Sequence, residues 1–129
     1  MFTLKKIERL CSKKAIDALF NSGKSKTQFP IKLMYLKSDF ESEYPARAMF
    51  VVPKKKHKRA NKRNTLKRRM REAYRLNKHE LYKVLNQQKI DIMFIYLSDE
   101  ELDYQTIEKT IQSLIKHLIN QVTNVTEVK

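Results

Sequence analysis

Apolar residues recur along this chain with two periods, and the changes from one to the other divide it into elements. In residues 12–22, Ile16, Leu19 and Phe20 fall at helical spacing, with Ser12 placed to cap the first turn and Gly23 just past the last. Upstream, Leu4, Ile7 and Leu10 recur every three residues and are expected to pack the arm leading into this helix. After Pro30, residues 31–36 carry the β-branched and aromatic side chains of a strand. Residues 39–45 are polar and acidic, a connector, and residues 46–52 form a second, more apolar strand that Pro53 ends by withholding a ladder donor. With so short a loop between them, these two strands are expected to pair as an antiparallel hairpin.

A helix is predicted from residue 61 or 62 to 85, with a break at residues 87–89. Residues 90–97 are nearly all apolar and suit a strand at the centre of a sheet. An acidic loop at residues 98–103, where Ser98 or Asp99 is placed as a cap, leads into a helix over residues 104–122. Ile107, Ile111, Leu114, Ile115, Leu118 and Val122 form its single apolar stripe. Residues 123–129 lose the period and are expected to fray. The order α-β-β-α-β-α implies an α+β fold, a two-layer α/β sandwich, as one domain over residues 1–122.

Composition narrows the chemistry. At 129 residues and 41% hydrophobic content the chain can bury an ordinary core without staples. Cys11 is the only cysteine, which excludes an internal disulfide and a two-thiol zinc or redox site, and suits a reducing compartment. No apolar run approaches the roughly 18–20 residues of a membrane span, and the first residues hold no signal-peptide core, so the expectation is a soluble, cytoplasmic protein with no membrane partner. Gly23 is the only glycine, which excludes glycine-rich phosphate loops and makes nucleotide-dependent catalysis an unsuitable reading. His57, His79 and His117 have no ligand spacing, and the acids lie mostly in loops, so neither a metal cage nor a catalytic constellation is indicated.

Charge changes the picture most. Residues 54–78 hold thirteen lysines and arginines against the single acid Glu72, a local charge of +12 in a chain of net +14. Charge so localised makes a surface for a polyanion, of which nucleic acid is the commonest inside a cell. On a 100° wheel, Leu66, Met70, Ala73, Tyr74, Asn77, Leu81, Val84 and Leu85 share a core face of the long helix. Asn64, Lys67, Arg68, Arg71, Arg75 and Lys78 share the sector beside it, while Lys62, Arg69 and Lys83 fall elsewhere. Successive turns space that sector at about 5–6 Å, close to the spacing of phosphates on a nucleic-acid strand. A merely solvated face would need acids four residues away to relieve repulsion such as Arg63/Lys67 and Lys67/Arg71, and only Glu72 and Glu80 are available. Asn64, near the helix start, suits either an anion at the helix N-terminus or a loop amide.

The segment KRANKRNTLKRRMREAYR resembles the RNR motif of the bacterial ribonuclease P protein component. That pattern is Arg-Asn, Lys-Arg three residues on, then Arg-Glu-Ala-aromatic-Arg; here it is Arg63, Asn64, Lys67, Arg68, Arg71, Glu72, Ala73, Tyr74 and Arg75. LKKIERL, SKKAIDALFNSGKS, VPKKKHKRA and the apolar strand after the helix are also similar in kind and order, so the resemblance covers nearly the whole chain. Thr65 stands where a third basic residue is common in the family, and Leu97 where arginine is common.

The resemblance implies a left-handed β-α-β crossover around the basic helix, against the usual handedness. It also implies a protein that supports, without itself performing, endonucleolytic 5′ maturation of tRNA. A catalytic RNA subunit would hold the magnesium and cleave, and no protein partner would be required. By resemblance, Lys62, Arg63, Asn64, Lys67, Arg68, Arg71 and Arg75 meet that RNA. Phe20, Tyr35, Val52, Lys54 and Lys55 would hold the 5′ leader of precursor tRNA, with Phe20 and Tyr35 stacking on bases and Ile16 offering apolar contact. On helical spacing alone, Ile16 and Phe20 are expected in the core, and only the resemblance turns Phe20 outward to the leader. A general RNA-binding or ribosomal protein with a basic helix would account for the charge but not for the Arg-Asn spacing. A protein-only nuclease would require clustered carboxylates.

Overall fold

The computed structural model describes residues 8–86 and 88–127. Helix α1 (Lys13–Ser22) begins where expected, with the Ser12 side chain accepting a hydrogen bond from the Ala15 amide. It ends at Gly23, whose N–H returns to the Leu19 carbonyl; a Cβ there would sit 2.4 Å from that oxygen, so the close approach needs glycine. Four strands follow, β1 (Lys24–Gln28), β2 (Ile31–Ser38), β3 (Ala46–Val51) and β4 (Lys89–Tyr96), with α2 (Ala60–Leu85) between β3 and β4 and α3 (Tyr104–Glu127) last. The helix α3 thus continues beyond residue 122. Expected packing at Leu4 and Ile7, the break at Gln87 and the last two residues of the tail lie outside the described residues.

The sheet order is β1-β2-β4-β3, which corrects the expected pairing of the two strands around the acidic connector. They do not pair: β4 lies between them, antiparallel to β2 and parallel to β3. The cause is β4's composition. Lys-Ile-Asp-Ile-Met-Phe-Ile-Tyr gains most from cover on both faces, so it takes the centre and the connector spans it. The hairpin partner of β2 is instead β1, which periodicity overlooks because every residue of Lys-Ser-Lys-Thr-Gln is exposed. Its lysines suit an edge, where they discourage further strand addition. On the opposite edge Arg9 forms a parallel bridge with Ala48, and the Leu10 amide donates to the Ala48 carbonyl at 2.8 Å.

The alternation of β2 divides its side chains between two cores. Ile31, Leu33 and Tyr35 join Ala48, Ile92, Phe94 and the stripes of α2 and α3 in the main core. Phe94 stacks on Phe50 at 5.7 Å and meets Tyr74 of α2 at 5.7 Å, fixing the helix on the sheet. On the other face Met34 and Met93 pack with Leu10 and Leu19 beneath α1, which leaves Ile16, Leu36, Met49, Val51 and Ile95 only partly buried. Helix α3 is capped not by Ser98 or Asp99 but by Asp103, whose carboxylate accepts from the Thr106 amide at 2.9 Å. Ser98 accepts from Glu100 within the preceding turn.

Candidate nucleic-acid interface

The basic loop that enters α2 is held by its own side chains. His57 is buried, meets Tyr96 edge to face, and its Nε2–H donates to the Ser98 carbonyl at 2.8 Å. Lys56 donates to the Leu97 carbonyl. From the first turn of α2, the Arg63 guanidinium donates to the carbonyls of His57 and Lys58, both at 2.9 Å. Arg63 therefore braces the loop whose lysines, Lys54 and Lys55, stay exposed. Farther along, Arg69 donates to the Leu102 carbonyl at 2.6 Å and pairs with Glu101, tying α2 to the loop before α3. None of these anchors was visible from spacing alone; for His57 the only hint was its place among lysines.

On the open side of α2, Lys62, Asn64 and Arg68 are exposed, and Lys67 and Arg71 partly so. Among the described residues Lys62, Lys67 and Arg68 form no ion pair, and the Asn64 side chain makes no hydrogen bond to a loop amide. Thr65 turns back to donate to the Asn61 carbonyl. Arg75 makes a bidentate pair with Glu72, at 2.8 and 2.7 Å. That hydrogen bond, with Arg71 adding to it, holds the Glu72 carboxyl below its usual range. The N-cap residue Arg59 makes no side-chain cap and the first turn holds no acid; the Asn61 side-chain oxygen accepts from the Lys62 amide at 2.9 Å, but no carboxylate offsets the positive end of the helix.

The wheel misplaces three residues. Lys78 belongs not to the basic sector but to the interior: it is 5% exposed and pairs with Glu8, itself fully buried. Tyr82 donates to the same carboxylate, and the Lys78 ammonium lies 5.1 Å from the Tyr82 ring centre. Val84 is exposed and Asn77 half-buried, its amide donating to the Ala73 carbonyl. A wheel assumes one buried side, whereas α2 packs against both the sheet and the segment carrying Glu8.

The five residues assigned to the leader are not brought together. Phe20 is 58% exposed and shares one side of α1 with Ile16, four residues earlier. Tyr35 and Val52 are buried in the main core, on the opposite face of the sheet from α1, with Tyr35 meeting His117 of α3 edge to face at 6.4 Å. Tyr35 therefore presents no ring to a base. The residue of β2 that faces α1 is its neighbour Met34, since one step along a strand reverses the face. Beyond α1 the same sheet face carries Arg47, bidentate to the buried Asp91 at 2.8 and 3.0 Å and covered by Phe40 at 4.1 Å. No cluster of three or more His, Cys, Asp or Glu suited to a metal occurs among the described residues, and no described helix is long and apolar enough to cross a membrane.

Known proteins share this arrangement. The family model described as Ribonuclease P matches residues 4–119. The ribonuclease P protein component of Porphyromonas gingivalis is 42% identical over 119 residues, covering 89% of this chain and 86% of that protein. That of Chlorobium phaeobacteroides is 42% identical over 98 residues, covering 74% and 67%. Among solved structures, the RNase P protein of Thermotoga maritima aligns with a TM-score of 0.68 at 27% identity, covering 85% of this chain and 96% of that one. The RNase P protein of Staphylococcus aureus aligns with a TM-score of 0.70 at 18% identity, covering 86% and 94%, a likeness of fold. With its fold, its basic helix and nearly its whole length matched, this chain belongs to the ribonuclease P protein family.

Proposed function

We propose that the chain is the protein subunit of a cytoplasmic ribonuclease P, docking to the catalytic RNA through α2 and holding the 5′ leader of precursor tRNA on the α1 face of the sheet. The observation that carries this is the sector of Asn64, Lys67, Arg68 and Arg71, exposed or partly so and repeating along the axis at about phosphate spacing, with Lys62 exposed beside it at the helix start. Arg63 contributes by shaping the loop, and Arg75 borders the sector with its charge offset by Glu72. Magnesium and the cleavage itself belong to the RNA, whose phosphates supply the oxygen ligands that this cation prefers. The protein neither cleaves alone nor needs a second protein.

For the leader, Phe20 is the exposed flat face, backed by the half-buried Ile16, Met49, Val51 and Ile95, with Lys54 and Lys55 as phosphate partners at the sheet end. Base stacking on an aromatic ring is worth about 1–3 kcal/mol. Phe20→Ala is therefore expected to weaken holoenzyme binding of precursor tRNA by about fivefold or more while leaving mature tRNA unaffected. Equilibrium binding of the two substrates checks this; an equal loss for both would remove the leader from the α1 face. Because Tyr35 faces α3, Tyr35→Phe should leave both affinities unchanged in the same titration.

A further inference from the structure

Phe29 is the most exposed large hydrophobic residue described, at 69%. A solitary exposed aromatic is ordinary; its setting here is not. It occupies the two-residue turn between β1 and β2, with Gln28 paired to Ile31 across the turn and Pro30 buried beside it. The Pro30 carbonyl accepts from the Leu97 amide at 2.7 Å, and the Leu97 carbonyl in turn accepts from Lys56. The turn is thus fastened to the end of the sheet from which Lys54 and Lys55 project. Residues 24–38 also contain four lysines and no acid; Lys26 and Lys32 each lie three residues from Phe29, whereas Lys24, opposite Tyr35, and Lys37, opposite Ile90, lie toward the other end of the sheet. One of them, Lys32, is paired with Thr27 and lies on the same sheet face as Met34, the face that α1 covers.

An exposed ring on a fastened turn, with Lys26 and Lys32 on the two strands beside it, suits an unpaired nucleotide, whose base stacks while its phosphates meet the ammonium groups. We propose that Phe29 is a second stacking platform for the precursor's 5′ leader, taking a base farther from the cleavage site than the one met by Phe20. This rests on the leader reading above and extends it across the sheet end.

The test is holoenzyme binding to precursor tRNAs whose leaders grow one nucleotide at a time, with wild-type protein, Phe29→Ala, Phe29→Tyr and Phe20→Ala. Wild type should gain affinity in a second step once the leader is long enough to reach the turn. Phe29→Ala should lose that step, about fivefold or more, while binding short-leader precursors and the RNA subunit as wild type does; Phe29→Tyr should retain it. An unchanged second step in Phe29→Ala, an equal loss for all leader lengths, or a loss confined to assembly with the RNA subunit would each overturn the proposal. If wild type shows no leader dependence at all, the leader reading itself fails. If Phe20→Ala removes leader dependence and Phe29→Ala does not, only the assignment of Phe29 fails.

Discussion

Lys78→Met is expected to destabilise the isolated protein by about 3–5 kcal/mol, because it removes the ion-pair partner of a carboxylate that has no route to water. Glu8 is fully buried, and it accepts from both Lys78 and Tyr82. A loss of that size is a large share of the roughly 5–15 kcal/mol that holds a domain folded. Replacing both members, as Glu8→Leu with Lys78→Met, should recover much of the loss, since an apolar pair costs no desolvation of charge. Urea unfolding of the two single variants and the double variant measures the coupling directly; additive effects would mean that the pair is solvated. Lys78→Met should also leave the salt dependence of RNA binding unchanged, which a residue of the basic sector would not.

Arg68→Ala is expected to do the opposite: little change in the urea midpoint, and assembly with the RNA subunit weaker by roughly ten- to a hundredfold, the scale of one charge-assisted hydrogen bond. Each cation that neutralises a phosphate releases counterions, so the slope of log affinity against log salt should fall by about 0.7–0.9 for Arg68→Ala. Adding Lys62→Ala and Lys67→Ala should reduce it by about two to three in total. All three are free of ion pairs among the described residues, so their removal strands no partner. Arg63→Ala should behave differently, lowering stability as well, because its guanidinium holds the carbonyls of His57 and Lys58. Titrations at several salt concentrations separate the two classes. A slope unchanged in the triple variant would place the RNA elsewhere.

How much of this was legible in the residues differs from element to element. Helices declared themselves through period and punctuation: Ser12 and Gly23 bound α1, and the stripe from Ile107 to Val122 lies where α3 does. The centrality of β4 followed from a run that is apolar but for Asp91. What that run also implied, but local spacing could not show, is that a strand so apolar separates β2 from β3. Strand β1 had no apolar signal because an exposed edge needs none. The phase of β2 was not settled by its residues, with Lys32 on one face and Lys37 on the other; packing places Tyr35 in the main core and turns Met34 toward α1. The motif on α2 was visible as chemistry, but its division into RNA-facing cations and internal anchors was not. That division depends on carbonyls and carboxylates far along the chain, such as Leu102 for Arg69 and Glu8 for Lys78.

Cleavage of precursor tRNA by ribonuclease P RNA, at magnesium too low for the RNA to work alone, tests the central claim most directly. Adding this protein should restore cleavage at the 5′ end of the mature sequence, the protein without RNA should cut nothing, and the Lys62, Lys67 and Arg68 triple variant should need far more protein for the same rate. No gain on adding the protein, or cleavage by the protein alone, would contradict the account.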